Sequence, residues 1–108
     1  MVSDPSAASD EQLPPTDVVE ESVRLLKGVA DPTRLRILCL LRAGEVNVHA
    51  LTDALDVTQS AVSHQLRVLR EARLVATRRA GRYVYYRLTD DHVHDILSAA
   101  LDHGREVR

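Results

Sequence analysis

The 108-residue sequence predicts a mainly α-helical protein with a small β-hairpin, a winged helix–turn–helix that forms a homodimer. Residues 58–70 have apolar residues at helical spacing, directly after a shorter helical pattern. Two runs rich in β-branched and aromatic residues, 74–77 and 83–88, follow this helix and surround a glycine. Two helices joined by a short turn and followed by such a hairpin form a winged helix–turn–helix.

The helix expected at residues 58–70, which we call the reader helix, has one apolar and one polar face. Thr58 or Gln59 is its expected N-cap. The apolar stripe consists of Val62, Leu66 and Leu69. The polar face carries short hydrogen-bonding side chains and an arginine, namely Ser60, Ser63, His64 and Arg67. Such a face suits a helix that lies in the major groove of DNA and binds base edges.

The charge of this region differs from that of the whole chain. The chain has a formal net charge of −2, whereas residues 60–87 contain seven arginines and a single acid, Glu71. Several of these arginines lie in the expected hairpin turn, residues 78–82. A positive patch on an acidic protein favours a polyphosphate partner, and the alternative is an ordinary solvated surface.

The N-terminal residues 1–15 are small, polar and rich in proline, and we expect them to form a disordered tail before one domain at residues 16–108. The first 21 residues contain six acids and no base. Residues 22–108 therefore hold fourteen bases and ten acids, a net charge of +4. The acidity of the chain lies mainly in this N-terminal segment, whose role the sequence leaves open.

Other helices are expected around the reader helix. Helical patterns occupy residues 16–29, 33–42, 47–55 and 89–105. Asp31 and Pro32 fit the N-cap and the first position of the second of these helices. The chain has neither Phe nor Trp, so the core must be aliphatic, and a small domain of this kind often gains stability by dimerising.

The composition also limits the class of protein. No apolar run has membrane-spanning length, and the single cysteine, Cys39, cannot form an internal disulfide. A cytoplasmic location is the default expectation, with Cys39 as a small buried side chain. No set of nucleophile, base and orienting group is visible, so we expect no catalysis.

Three stretches resemble the ArsR/SmtB family of bacterial metal-sensing repressors: residues 30–38 (ADPTRLRIL), 60–69 (SAVSHQLRVL) and 81–88 (GRYVYYRL). The resemblance implies a homodimeric winged-helix repressor that binds double-stranded operator DNA and is released from it when metal binds. It implies that base edges and phosphates are contacted from the reader helix and the hairpin, by Gln59, Ser60, Ser63, His64, Arg67, Arg79 and Arg82.

The family binds metals at different places, and two of these places lack ligands here. One group of members has a Cys-x-Cys pair before the turn, where this sequence has Asn47 and His49 and no thiolate. His49 alone is interpreted as a surface residue. Other members use histidines of the N-terminal tail, and this tail has none. The last helix remains as the expected site.

In that helix His92 and His103 lie on nearly the same line, about 20° apart around the axis but about 16 Å apart along it. One ion cannot bind both within a single straight helix. Two helices that pack antiparallel in a two-fold dimer would bring Asp90 and His92 of one protomer beside His103 and Glu106 of the other.

This donor set suits Zn²⁺, and its spacing is similar to that of the family's terminal-helix zinc sensors. Co²⁺ and Ni²⁺ are the alternative metals. His94 is expected to be exposed, and a variant site that includes it stays open. The resemblance further implies that a zinc-bound imidazole donates its second N–H to a backbone carbonyl near Arg73.

The expected function is therefore zinc-responsive repression of transcription without catalysis. The alternatives are a winged-helix regulator that ignores metals and a protein-interaction module that does not bind DNA.

Overall fold

A computed structural model describes residues 12–108, in which five helices surround a small antiparallel sheet. The elements are α1 (Thr16–Val29), α2 (Pro32–Leu41), β1 (Val46–Asn47), α3 (Val48–Leu55), α4 (Gln59–Glu71), β2 (Val75–Ala80), β3 (Tyr83–Leu88) and α5 (Asp91–Val107). The predicted disordered tail falls mainly on residues 1–11, which lie outside the described residues. Residues 12–15 contain neither helix nor strand. No helix of the described part is long and apolar enough to cross a membrane.

Local capping determines where the helices begin. The Asp31 carboxylate accepts a hydrogen bond from the Arg34 amide at 3.0 Å, and Pro32 is the first residue of α2, as predicted. Thr58 caps α4 by accepting from the Ala61 amide at 3.1 Å. The turn between α3 and α4 is the expected three residues, 56–58, and α4 is the reader helix.

The sheet has three strands in the order β1–β3–β2, one more than the sequence predicts. The additional strand, β1, pairs Val46 with Tyr86 and Asn47 with Tyr85. A strand of two residues is too short to show the alternation by which strands are recognised. It joins the hairpin to the start of α3, because Asn47 also caps that helix.

The predicted five-residue turn of the hairpin at residues 78–82 is wrong. Strand β2 continues to Ala80, which pairs with Tyr83, so only Gly81 and Arg82 form the turn. Gly81 has a φ of 61°, as the first central residue of a two-residue hairpin turn can require. The tip is therefore tight, and Arg78 and Arg79 lie in a paired strand.

The core lies between α2, α3, α4, β2 and the first half of α5. Its fully buried side chains are Ile37, Leu38, Leu51, Val62, Leu66, Leu69, Leu74 and Leu97. No polar or charged residue is buried in the described part. Cys39 is half-buried rather than buried as predicted.

The first and last helices keep much of their apolar surface uncovered within one chain. In α1 only Gly28 is buried, while Val18, Val19, Val23 and Leu26 are 48%, 43%, 43% and 53% exposed. In α5 only Val93 and Leu97 are buried. The apolar faces predicted for these helices are thus present, and the protomer itself covers only part of them.

Candidate nucleic-acid interface and metal ligands

The reader helix α4 has the two faces that the sequence predicts. Val62, Leu66 and Leu69 are fully buried and fix the rotation of the helix on the core. The predicted DNA-contacting residues of this helix are all exposed: Gln59, Ser60, Ser63, His64 and Arg67. The side chains that could bind base edges therefore project from a helix whose opposite side is immobilised by packing.

Arg34 positions this helix against α1, a role that the sequence pattern does not indicate. Its Nε donates to the Gly28 carbonyl at 2.8 Å and its Nη2 to the Lys27 carbonyl at 3.3 Å, both in the last turn of α1. Its Nη1 donates to Oε1 of Gln65 in α4 at 3.0 Å. One guanidinium thus satisfies helix-end carbonyls and links α1 to the reader helix.

The hairpin, which we call the wing, differs among its arginines in whether they form an ion pair. Arg79 and Arg82 are exposed, as expected for phosphate contacts. Arg78 instead binds Glu45 with Nε at 3.1 Å from Oε2 and Nη2 at 2.8 Å from Oε1. This hydrogen bond lowers the pKa of Glu45 and raises that of Arg78. Arg78 also lies over the Tyr85 ring, 5.0 Å from its centroid.

The four predicted metal ligands occur as two exposed pairs at opposite ends of α5. At the start, Nδ1 of His92 lies 3.8 Å from Oδ2 of Asp90. The other oxygen of Asp90 caps α5 by accepting from the Val93 amide at 3.1 Å. Near the end, Nδ1 of His103 lies 3.4 Å from Oε2 of Glu106. We call these pairs the N-terminal and C-terminal half-sites.

Each half-site fits two corners of a tetrahedral zinc site. Two donor atoms, each about 2.0–2.1 Å from Zn²⁺ at the tetrahedral angle, are about 3.3 Å apart. The His103–Glu106 separation is close to this value, and the Asp90–His92 separation needs only a small adjustment. The cap of α5 occupies Oδ1 of Asp90 and leaves Oδ2 as a donor atom.

Neither half-site is complete within one chain. In residues 12–108 no three His, Cys, Asp or Glu side chains come together in a way that could hold a metal ion. His94 is exposed, as predicted, and its Nδ1 lies 3.5 Å from Oδ1 of Asp95. His49 is exposed and contacts Tyr83 edge-on.

Known proteins match both the helix–turn–helix region and, in longer alignments, most of the chain. The sequence profile described as "Bacterial regulatory protein, arsR family" matches residues 31–77, which include α2, α3 and α4 but not α5. The "Transcriptional repressor SmtB homolog" of Synechocystis sp. is 44% identical over 90 residues, 83% of this chain and 68% of that protein. The "HTH-type transcriptional regulator NmtR" of Mycobacterium tuberculosis is 43% identical over 103 residues, 95% of this chain and 82% of that protein.

Among solved structures, the homodimeric winged helix-turn-helix DNA-binding domain Mb0332 from Mycobacterium bovis superposes with a TM-score of 0.79 at 28% identity. The superposition covers 98% of this chain and 92% of that one. The similarity therefore extends over the terminal helices as well as the helix–turn–helix.

Proposed function

Because the chain belongs to the arsR family of bacterial regulatory proteins, and so is a transcriptional regulator rather than an enzyme, we propose that it is a metal-sensing repressor. It binds operator DNA as a homodimer and is released when Zn²⁺ binds between the two α5 helices. The observation that carries the proposal is the pair of half-sites at opposite ends of α5, each with the donors for half of a tetrahedral site.

The DNA is bound through α4 and the wing. Ser63 and His64, exposed on α4, contact base edges in the major groove. Phosphates are held by Arg67 and by Arg79 and Arg82 of the wing. Gln59 and Ser60, at the start of the same helix, complete the contact surface. Support comes from the burial of the opposite face of α4 and from the excess of arginine in residues 60–87.

The metal joins the protomers. With the α5 helices antiparallel, Asp90 and His92 of one protomer and His103 and Glu106 of its partner supply four donors to each of two equivalent sites. The uncovered apolar surface of α1 and α5 favours a second copy of the chain as the partner. Zn²⁺ supplies a positive charge that holds four donors from two chains in one arrangement.

Release requires only that the zinc-bound arrangement of the dimer fit the operator less well than the metal-free one. A coupling of about 1–3 kcal/mol lowers DNA affinity roughly 5- to 150-fold. The same donors accept Co²⁺ or Ni²⁺, so the alternative is a sensor of one of these ions at the same site. A metal-independent regulator is the second alternative. We also propose that the protein is cytoplasmic.

The test is a titration of operator DNA with protein, with and without Zn²⁺, Co²⁺ and Ni²⁺. We expect zinc to weaken binding by at least about tenfold, within the usual range of such coupling. His103→Ala should bind DNA normally without metal and should no longer respond to zinc. His94→Ala is the matched control, because it removes an α5 histidine outside both half-sites, and it should respond as the wild type does.

Two outcomes would contradict the proposal. If chelators and metals leave the DNA affinity of the wild type unchanged, the protein is a metal-independent regulator. If His94→Ala loses the response while His103→Ala keeps it, the ligands are different from those proposed.

A further inference from the structure

Thr89, which is outside the proposed ligand set, joins the start of α5 to the end of the reader helix. Its hydroxyl donates to the Arg73 carbonyl at 2.8 Å, and its amide donates to the Leu74 carbonyl at 3.1 Å. The next residue is Asp90, the N-cap of α5 and a donor of the N-terminal half-site. The proposed zinc ligand Asp90 is therefore the direct neighbour of Thr89, which is hydrogen-bonded to the loop after α4.

The carbonyls that accept these two hydrogen bonds, those of Arg73 and Leu74, lie in the hydrogen-bonded C-cap of α4. The Arg73 amide donates to the Arg70 carbonyl at 3.0 Å, and the Leu74 amide donates to the Leu69 carbonyl at 2.9 Å. This is the two-bond pattern of a Schellman C-cap, with Arg73 in the left-handed conformation at φ 61°. Leu74 is fully buried, so the loop cannot shift without moving packed atoms.

Arg73 is a non-glycine residue in a conformation that costs about 1–2 kcal/mol for an L-residue. Its surroundings must offset that cost, and the Thr89 hydroxyl, bonded to the Arg73 carbonyl, is one of the groups that do so. A change in the position of Thr89 therefore acts directly on the geometry of the last turn of α4.

We propose that Thr89 is a positioning residue that couples the N-terminal half-site to the reader helix within one protomer. The inference rests on the proposed function, since it assigns a path for that regulation. When Asp90 and His92 close on a metal, Thr89 moves with Asp90, and its two hydrogen bonds carry the displacement to Arg73 and Leu74. The hydroxyl bond is the part that a side-chain substitution can remove.

The test compares Thr89→Val and Thr89→Ala, which lack the hydroxyl, with Thr89→Ser, which keeps it. Three quantities are measured for each: zinc affinity by competition with a chromogenic chelator, operator affinity without metal, and operator affinity with saturating zinc. We expect the Val and Ala variants to bind zinc and metal-free operator within about threefold of the wild type. Their ratio of metal-free to zinc-bound DNA affinity should fall clearly below the wild-type ratio, because one of the two hydrogen bonds that carry the displacement is lost, whereas Thr89→Ser should keep the wild-type ratio.

Hydrogen exchange supplies a readout that needs no DNA. In the wild type and in Thr89→Ser, zinc should change the exchange rates of the Arg73 and Leu74 amides, which close the C-cap of α4. In the variants without the hydroxyl, zinc should change these rates less, most clearly at Arg73, whose carbonyl has lost the hydroxyl bond. A purely structural role of Thr89 would raise the exchange rates with and without metal and leave the affinity ratio intact, and this result would overturn the proposal.

The outcomes also separate this inference from the proposed function. A wild type that responds to zinc together with a Thr89→Val variant that responds equally would remove only the role of Thr89. A wild type that does not respond to zinc would remove the role of Thr89 and the metal switch together.

Discussion

Gly28 and Arg34 hold the C-terminal end of α1 close to α4. A Cβ atom at Gly28 would lie 2.8 Å from Cδ1 of Leu74 and 2.9 Å from Cβ of Ala72, so only a glycine permits this approach. Arg34 binds the Lys27 and Gly28 carbonyls from the adjacent helix. Together they place α1, with its uncovered apolar face, in fixed register with the reader helix.

The Gly28 contact gives a prediction about stability. Gly28→Ala should lower the free energy of unfolding by about 1–2 kcal/mol, because overpacking costs about 1–3 kcal/mol and the helix propensity of Ala returns less than about 1 kcal/mol. Gly104→Ala is the matched control, since a Cβ there meets nothing within 4 Å, and it should not be destabilising. Urea unfolding of the metal-free proteins measures both, and a Gly28→Ala variant as stable as the wild type would contradict the close packing.

At the residue scale, local roles could be predicted and distant ones could not. The caps formed by Asp31 and Thr58 follow from bonds to an amide three residues along the chain, which a sequence window contains. Arg34 stands in the recognisable Asp-Pro-Thr-Arg stretch, yet its partner Gln65 lies 31 residues away. Nothing in the chain order brings these two side chains together before the helices pack.

At the scale of elements, the wing combines a correct and an incorrect prediction. The sequence predicts a hairpin with a basic tip, but the residues 78–80 (RRA) have too little β-propensity to be recognised as strand. Pairing with β3 and the hydrogen-bonded ion pair between Arg78 and Glu45 stabilise the strand despite this low propensity. In the proposed DNA complex, this ion pair leaves Arg78 less available to phosphate than Arg79 and Arg82.

The wing prediction separates these arginines. Changing Arg79 and Arg82 to Ala should weaken binding to all DNA sequences and reduce the slope of log affinity against log salt by about 0.9 for each lost phosphate contact. Arg78→Ala is the comparison, because its charge is already paired with Glu45, and it should leave that slope nearly unchanged. Fluorescence anisotropy at several salt concentrations provides the slopes. An unchanged slope in the double variant would remove the wing from the interface.

At the scale of the whole molecule, two features of the protomer favour a dimer. The α1 and α5 helices leave apolar side chains uncovered, and α5 carries one of the two proposed half-sites at each end. The placement of the four candidate ligands at opposite ends of one helix could be predicted, because helical periodicity is a property of one chain. The distance between the half-sites of two protomers depends on how the chains dock, which a single sequence does not specify.

The decisive prediction for the assembly uses two variants in one mixed dimer. One chain carries Asp90→Ala with His92→Ala, and the other carries His103→Ala with Glu106→Ala. If each metal site takes one half-site from each of the two chains, one site of the mixed dimer contains all four substitutions and the other is intact. The mixed dimer should then bind one Zn²⁺ in the presence of a competing chelator.

Each homodimer is the control, because both of its sites retain only two of four donors and should hold no zinc against the chelator. Zinc is counted on affinity-separated mixed dimers with two different tags. If both half-sites of a metal site came from the same chain, the mixed dimer would bind zinc no better than the homodimers. Each chain would then lack two of its own ligands. Tight binding of two zinc ions by either homodimer would equally exclude a site that bridges the protomers.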